Sequence, residues 1–211
     1  MADKIKPDLK GIKNIIFDLG NVILNLDFDA SIKAFQKLGL DKTVLDRKLA
    51  YADPVFYQLE VGEISAADFH SRVRKLLGNA AAGNQQIDDA WYAMIRDIPV
   101  QRVKTLQQLG DKFRLFLFSN TNEIHISRLL DEFRDKYGFE FPSLFERVFY
   151  SHEIHARKPD LEAYEKVIRL AEVDPGETLF VDDLEKNILA AEAVGLKTFW
   201  LQKGMELYEL F

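Results

Sequence analysis

The amino-acid sequence predicts an α/β protein built on a doubly wound parallel sheet, with a small all-helical cap inserted near the N-terminus. Short apolar runs alternate with helical patterns at both ends of the chain, and strand-like runs disappear between them. Apolar residues make up 47% of the 211 residues, so the chain can bury a sizeable hydrophobic core. We therefore predict a core of residues 1–27 and 98–211 and a cap of residues 28–97.

Four buried strands are predicted from short apolar runs that end at small polar or glycine-containing segments. The first, residues 14–17, is rich in isoleucine and is followed at once by Asp18-Leu19-Gly20-Asn21. Residues 113–118 precede Ser119-Asn120, residues 178–181 precede Asp182-Asp183, and residues 197–201 form the fourth run.

Helices are predicted between these strands because apolar residues recur there at helical spacing. The patterns cover residues 100–109, 161–170 and 187–194, and Gly110 and Gly195 are plausible C-terminal stops. Since strands alternate with helices, the sheet is expected to be parallel.

The predicted cap consists of successive helical patterns joined by short loops. Asp41 and Ser65 are suitable N-cap residues, and Asp68 completes a capping-box pattern with Ser65. A loop is expected over residues 78–83. The helical patterns cover residues 31–38, 44–50, 66–77 and 88–95.

Composition and charge restrict the possible partners. The net charge of −6 provides no overall attraction for nucleic acid or an anionic membrane. The chain contains no cysteine, which excludes disulfides and thiolate chemistry, and no segment has the roughly 20 apolar residues of a membrane-spanning helix. The polar N-terminus has no apolar signal segment. We expect a cytoplasmic protein, either a monomer or a weak homodimer.

The polar segments that follow three of the predicted strands are expected to form one site. In parallel α/β sheets, ligands bind outside the carboxyl ends of the strands, where Asp18, Ser119 and Asp182 are predicted to lie. A cluster of Asp18, Asp182 and Asp183 would be repulsive unless a hard cation compensated it. Mg²⁺ prefers oxygen ligands and accepts one or two carboxylates together with substrate phosphate. The cluster therefore predicts a magnesium site.

A phosphate group bound at this site would need hydrogen-bond donors and a cation. Ser119, Asn120 and Lys158 can supply them. Pro159 disfavours a helical conformation at Lys158, so the lysine is expected in a loop or just before the next helix.

These segments resemble, in order, the four motifs of the haloacid dehalogenase superfamily. They are Phe17-Asp18-Leu19-Gly20-Asn21-Val22, Ser119-Asn120, Lys158-Pro159 and Val181-Asp182-Asp183 with Asn187 and Gly195. The resemblance covers nearly the whole core and implies a Rossmann-like fold with a C1-type cap. Gly62-Glu63-Ile64-Ser65 and the Asp-Leu-Gly-Asn form of the first motif resemble the branch that contains an α-D-glucose-1-phosphate phosphatase.

The resemblance implies a Mg²⁺-dependent phosphatase for a small phosphorylated metabolite, possibly a sugar phosphate; a phosphomutase is a less favoured alternative. Asp18 would attack phosphorus and form an aspartyl-phosphate that water hydrolyses. Asp18, the Gly20 carbonyl and Asp183 would bind Mg²⁺, with Asp182 a ligand or a neighbour of one. Ser119, Asn120 and Lys158 would bind the phosphoryl group, and Lys158 would also orient Asp18. Asn187 would support the loop of the fourth motif.

One departure from the family pattern bears on catalysis. Most phosphatases of this family have a second aspartate two residues after the nucleophile, which acts as the general acid, whereas this chain has Gly20. Such a group typically contributes about 10²–10⁴-fold in rate. Either the leaving group needs little help, or another group or water substitutes, or turnover is slow. Asp27 is close in sequence, but nothing in the sequence indicates that it reaches the site.

Two other functions remain open at this point. A 2-haloacid dehalogenase would need no metal, but the Asp182-Asp183 pair would repel its carboxylate substrate. A non-catalytic ligand-binding protein is compatible with Gly20. His152 and His155 do not have the spacing of a zinc protease motif and are expected on the surface or in a loop. Cap aromatics could line a pocket, although core packing is expected for most of them: Phe56, Tyr57, Phe69, Trp91 and Tyr92.

Overall fold

The structure, a computed structural model, describes residues 6–43 and 51–211. Its central feature is a parallel sheet whose five strands lie in the order β3-β2-β1-β4-β5. The strands are β1 Asn14–Phe17, β2 Arg114–Ser119, β3 Arg147–Tyr150, β4 Thr178–Asp182 and β5 Lys197–Trp200. The predicted doubly wound α/β fold is confirmed.

The four predicted strands correspond to β1, β2, β4 and β5. The central strands β1 and β4 are buried along their whole length, as expected for parallel strands covered on both faces. The strand β3, a four-residue edge strand with an exposed Arg147, was not predicted from the sequence. A single short run with a charged first residue gives a weak strand signal.

Helices cover both faces of the sheet. The connections from β1 to β2 and from β2 to β3 include α5 Val100–Gly110 and α6 Glu123–Tyr137, which pack on one face. The connections from β3 to β4 and from β4 to β5 include α8 Leu161–Ala171 and α9 Glu185–Ala193, which pack on the other. The short helices are α7 Ser151–Ile154 and α10 Leu207–Leu210, and there are 3₁₀ turns at Phe141–Leu144 and Pro175–Glu177.

The segment between β1 and α5 contains helices and, within its described residues, no strand of the sheet. Its helices share a separate apolar core that includes Phe35, Phe69 and Trp91. We call residues 28–97 of this segment the cap. Its described helices are α1 Phe28–Leu38, α2 Pro54–Glu60, α3 Ala66–Leu76 and α4 Asn84–Tyr92.

The boundaries of the cap helices follow their capping interactions. The predicted capping box of α3 is present, because Ser65 Oγ accepts from the Asp68 amide and the Asp68 carboxylate accepts from the Ser65 amide. The prediction for α4 began four residues too late. The chain ahead of Asn84 is already organised by a hydrogen bond from the Gly83 amide to the Gln86 side chain. The helix α2 was not predicted from the sequence, although Asp53-Pro54 is a typical helix start. The helix predicted over residues 44–50, with Asp41 as its cap, lies outside the described residues.

The helix stops are placed nearly as predicted. Gly195 follows α9 with a φ of +89°, which favours glycine, whereas Gly110 is the last residue of α5 and Asp111 caps the helix. None of the helices within the described residues is both long and apolar enough to cross a membrane.

Candidate active site

The register of the two central strands brings two aspartates together at the carboxyl edge of the sheet. Phe17 in β1 pairs with Val181 in β4, so Asp18 and Asp182 are the next residue on each strand. The Asp18 amide continues the ladder by donating to the Val181 carbonyl at 2.9 Å. Both carboxyl groups are therefore fixed by rigid backbone at the same edge. This is the convergence that the sequence predicted.

Lys158 joins these two carboxylates. Its Nζ lies 2.6 Å from Asp18 Oδ1 and 2.8 Å from Asp182 Oδ2, and it also donates to the Phe118 carbonyl at 2.9 Å. The side chain is 1% exposed. Since a buried ammonium group is stable only when it is paired and hydrogen-bonded, the three acceptors account for its position. Lys158 lies in the loop before α8, as predicted.

Asp182 is fully engaged by protein donors. Besides Lys158, its carboxylate accepts from Asn187 Nδ2 at 2.9 and 3.0 Å and from the Leu184 amide at 2.9 Å. Both of its oxygens thus have hydrogen bonds already. Asn187 is held in turn by Tyr164, whose hydroxyl donates to the Asn187 carbonyl. The contact of Asn187 with Asp182 agrees with the supporting role expected for Asn187.

Asp183 is less buried than Asp182 and has fewer partners. Its Oδ2 accepts from Asn21 Nδ2 at 3.0 Å, and its backbone carbonyl accepts from Trp200 Nε1 at 3.0 Å. Asn21 has a φ of +55°, a left-handed conformation that asparagine adopts more readily than most residues. The tight turn after β1 thereby connects the first polar segment to the last.

Oxygen atoms of Asp18, Asp182 and Asp183 all lie within 4.8 Å of one another. Burial raises the pKa of Asp18 to about 7; Lys158 opposes this rise, and repulsion from Asp182 adds to it. Burial also raises the pKa of Asp183. The positive charge of Lys158 therefore does not balance the negative charge of the three carboxylates. These hard oxygen donors and their mutual repulsion fit Mg²⁺.

The two residues of the second polar segment, Ser119 and Asn120, make different contacts. Ser119, the last residue of β2, is buried at the cavity, and its hydroxyl makes no hydrogen bond to another described residue. The Asn120 side chain instead forms a reciprocal pair with the Lys158 backbone, donating to its carbonyl at 2.8 Å and accepting from its amide at 2.9 Å. The Asn120 side chain thus holds Lys158 in place, and only its backbone amide is left for a bound phosphate.

Gly20 lies beside the Asp18 carboxylate. A Cβ atom at Gly20 would be 2.7 Å from Leu26 Cδ1 and 3.8 Å from Asp18 Oδ2. Leu26 therefore fills the space next to Gly20 with an apolar side chain. Asp27, the other carboxyl group considered, caps α1 and pairs with Arg96 at 2.5 Å instead.

A cavity of about 500 Å³ lies above the carboxylate cluster, between the sheet edge and the cap. Asp18, Ser119, Lys158 and Asp183 line it from the core side. The cap contributes a largely apolar wall, made of Phe28, Tyr51, Phe56, Tyr57, Trp91, Met94 and Ile95. Of the five cap aromatics considered in the sequence analysis, Phe56, Tyr57 and Trp91 line the cavity.

The cavity lining includes polar residues that were not assigned to the site from the sequence, among them Asn21, Glu60, His125 and Arg157. Asn21 and Arg157 adjoin recognisable motifs, so proximity in sequence could have suggested them. Nothing in the sequence indicated Glu60 or His125. The ring of His125 stacks on Trp91 with centroids 4.8 Å apart, and burial lowers its pKa to about 4.

The other histidines considered do not form a metal centre in the described residues, where Asp18, Asp182 and Asp183 are the only cluster of three candidate ligands. His152 lies in the short helix α7 and is half-buried, so its expected surface or loop position is only partly right. His155 is exposed and bonds through Nδ1 to the Val61 carbonyl of the cap at 2.9 Å.

The chain is similar to known proteins along most of its length. Residues 12–195 match the haloacid dehalogenase-like hydrolase family. D-ribitol-5-phosphate phosphatase of Bacteroides thetaiotaomicron is 29% identical over 195 residues, covering 92% of this chain and 94% of that protein. Glyceraldehyde 3-phosphate phosphatase of Pyrococcus abyssi is 25% identical over 92% of this chain and 82% of its own length.

A solved structure supports the same relationship. A haloacid dehalogenase family enzyme of Bacteroides thetaiotaomicron, in complex with magnesium and inorganic phosphate, superposes with a TM-score of 0.87 and 34% identity. The match covers 95% of this chain and 99% of that one. The glucose-1-phosphate phosphatase branch stays a prediction.

Proposed function

The chain belongs to the haloacid dehalogenase-like hydrolases, and we propose that it is a magnesium-dependent phosphatase that hydrolyses a small sugar or polyol phosphate through an aspartyl-phosphate on Asp18. Two phosphatases of small phosphorylated metabolites are similar to it along most of their length. The similar magnesium and phosphate complex supports both the metal and the phosphoryl group.

The observation that carries the proposal is the arrangement of the Asp18 carboxylate. Lys158 occupies Oδ1, while Oδ2 has no hydrogen bond to a described residue. Oδ1 is thus held in a fixed direction, and Oδ2 is free to attack phosphorus in the cavity. A carboxylate nucleophile needs both orientation and an unblocked oxygen.

In the proposed reaction, an Asp18 oxygen forms a bond to phosphorus while the ester oxygen leaves. Water then attacks phosphorus and restores the carboxylate. The Ser119 hydroxyl and the Asn120 amide would donate to the equatorial phosphoryl oxygens, on which negative charge spreads. The three N–H groups of Lys158 already have acceptors, so Lys158 would contribute its positive charge beside the phosphoryl group. Because Gly20 has no carboxyl group, we propose that the proton for the leaving oxygen comes from water.

The residues that would hold Mg²⁺ are Asp18, the Gly20 carbonyl and Asp183. Asp182 is the weakest candidate because its oxygens already accept from Lys158, Asn187 and Leu184. Bound Mg²⁺ would neutralise negative charge on the cluster and on the phosphoryl group.

The test is phosphate release from a panel of sugar and polyol phosphates, with Mg²⁺ and with excess chelator. We expect Mg²⁺-dependent release that is abolished in Asp18→Asn, a change that keeps the shape of the side chain and removes the nucleophile. Asp111→Asn, which alters an exposed carboxylate at the end of α5, is the matched control and should keep full activity. Full activity in Asp18→Asn would contradict the assignment of the nucleophile.

Two alternatives predict different results in the same experiment. Halide release from 2-haloacids that chelator leaves unaffected would favour a dehalogenase. Tight binding of phosphate esters without turnover would favour a non-catalytic ligand-binding protein. Trapping of beryllium fluoride on Asp18 in the presence of Mg²⁺ would support the phosphatase against both, because it mimics the aspartyl-phosphate.

We also propose that the core and cap meet near residues 27/28 and 97/98. The two connecting segments pair there, through hydrogen bonds from the Asn25 amide to Asp97 and from the Asp27 amide to Met94. The cytoplasmic location, the absence of nucleic-acid partners and the monomeric or weakly dimeric state belong to the same proposal. Light scattering at several protein concentrations would test the oligomeric state.

A further inference from the structure

An ion pair crosses the cavity from the cap to the core. Glu60, the last residue of α2, approaches Arg157 with 2.6 Å between Oε2 and Nη1. Both side chains are mostly buried and line the same cavity as Asp18. Arg157 directly precedes Lys158 in the sequence, so the pair is anchored beside the proposed reaction centre.

The Glu60 carboxylate has unused capacity to accept hydrogen bonds. Its Oε1 has no hydrogen bond to a described residue, although Oε2 contacts Arg157. Burial raises the pKa of Glu60 more strongly than Arg157 and Lys186 lower it. The ionised carboxylate is therefore incompletely compensated, and a hydroxyl group that donated to Oε1 would stabilise it.

Arg157 offers donors from the opposite side of the pair. A guanidinium group has five N–H donors, and the Arg157 side chain also lies over the face of the Tyr57 ring, 5.3 Å from its centroid. Lys186 of α9 also lines the cavity. Acceptors and donors are thus available side by side, as hydroxyl groups require, because each hydroxyl both donates and accepts.

The remainder of the cap wall is apolar and aromatic. Phe56 and Trp91 pack against each other at 4.9 Å, and both line the cavity. A polyhydroxylated carbon chain can place its C–H groups on such a surface and direct its hydroxyl groups at one polar pair. The cavity thus suits a ligand with one apolar and one hydroxylated side.

We propose that Glu60 and Arg157 are the specificity-determining residues of this enzyme and bind hydroxyl groups of a neutral polyol or sugar leaving group. The proposal rests on the proposed phosphatase function and deepens it. Glu60 accepts from a substrate hydroxyl through Oε1, while Arg157 holds Glu60 in place and donates to a second oxygen. Substrates without hydroxyl groups leave the carboxylate unsatisfied and are discriminated against.

The experiment compares Glu60→Gln with wild type on two substrates that share the phosphoryl group. Ribitol 5-phosphate has hydroxyl groups for the pair, whereas phenyl phosphate has none. We expect the loss of kcat/KM to be about 10-fold larger for ribitol 5-phosphate, mainly through KM, because a hydrogen bond to a charged group is removed. Glu63→Gln is the matched control, since Glu63 is exposed and lies three residues away outside the cavity.

Other results would overturn the inference. Equal losses on both substrates would mean that Glu60 only tethers the cap to the core, and no loss on either would exclude any role in recognition. A wild-type preference for 3-phosphoglycerate over ribitol 5-phosphate would show that Arg157 and Lys186 select an anionic leaving group. Thermal unfolding of each variant separates these results from misfolding.

A binding measurement distinguishes failure of this inference from failure of the proposed function. Ribitol 5-phosphate and inorganic phosphate are titrated into the Asp18→Asn protein with Mg²⁺, with and without Glu60→Gln. We expect Glu60→Gln to weaken ribitol 5-phosphate binding about 10-fold more than phosphate binding. Equal effects on the two ligands would contradict the inference even if the protein had no phosphatase activity.

Discussion

The two walls of the cavity are built on different physical principles. The core wall is polar, and its central groups hold one another: Lys158 contacts two carboxylates, and Asp182 accepts from three residues. The cap wall is mostly apolar, and aromatic packing around Trp91 supports it. An ion pair between Glu60 and Arg157 joins it to the core.

This difference indicates that the two walls have different functions. A buried network of charges tolerates little change, because each group that loses its partner stays desolvated. An apolar wall tolerates substitutions of similar volume, so it can vary with the ligand. We therefore expect substitutions in the core wall to affect chemistry and stability together, and substitutions in the cap wall to affect specificity.

The largest effect is expected for Lys158→Met. The change leaves Asp18 and Asp182 buried without a cation, which should lower the free energy of unfolding by about 3–5 kcal/mol. It should also lower kcat by at least about 10²-fold, because the positive charge that orients Asp18 and compensates the phosphoryl group is lost. Denaturant unfolding and steady-state kinetics measure both, with the exposed Lys104→Met of α5 as the control. An unchanged unfolding midpoint would refute the view that the core wall is one charge network.

The next effect concerns His125, which lies where core and cap meet and bonds through Nε2 to the Trp91 carbonyl at 3.1 Å. Burial lowers its pKa from 6.5 to about 4, so the folded state favours the neutral ring. Its stabilising contribution is complete above about pH 6.5 and is lost as the pH falls towards 4. The loss amounts to about 3 kcal/mol, which denaturant unfolding at pH 7 and pH 4 would measure.

Carboxylates also titrate in this range, so the informative quantity is the difference between wild type and His125→Gln. The variant should lose less stability on acidification than wild type does. Identical pH dependence in the two proteins would show that the protein environment of His125 does not disfavour the charged ring.

Asp183→Asn and Asp182→Asn compare the roles of two neighbouring carboxylates in the core wall. Asp183, whose carboxylate accepts from Asn21, is the proposed metal ligand, so Asp183→Asn should raise the Mg²⁺ concentration for half-maximal activity by at least about 10–100-fold. Asp182→Asn should destabilise the protein more, because it disturbs the buried Lys158. The reverse pattern would exchange the roles of the two aspartates.

The smallest effect is expected for Trp200→Phe. The indole donates to the Asp183 carbonyl at 3.0 Å and so helps to orient the loop that carries the proposed ligand. Loss of one such hydrogen bond costs about 1 kcal/mol, which corresponds to about a 5-fold higher Mg²⁺ requirement. Titration of activity with Mg²⁺ measures it, and Tyr208→Phe, another exposed aromatic, is the control. A Mg²⁺ requirement equal to that of wild type would show that Trp200 does not help to position Asp183.

Much of the core could be predicted because its signals are local. Apolar runs such as Asn14–Phe17 and the polar residues that follow them are contiguous in the sequence, and parallel strands place their ends at one edge. The short edge strand Arg147–Tyr150 was missed because its pairing with Phe116–Ser119 stabilises a run too short to be distinctive alone.

The candidate site could be predicted only in part, for a related reason. Asp18, Ser119, Lys158 and Asp183 were each found from their own segment, and all four line the cavity, with Asp182 in contact with Lys158 beneath them. The position of Glu60 depends on how the cap packs on the core, and its partner Arg157 is 97 residues away in sequence. Likewise, the engagement of Asn120 with the Lys158 backbone arises from contact between distant loops.

The sequence by itself determined the fold class and which residue types carry the chemistry. Both signals, the apolar pattern of a strand and the residues that follow its end, lie within short contiguous segments. Only the tertiary structure decided how the charges are shared. Lys158 pairs with two carboxylates, Asp182 is saturated and Leu26 fills the space beside Gly20. Those outcomes depend on distances between side chains that are far apart in the chain, and interatomic distance is the variable that sets both electrostatic energy and steric exclusion.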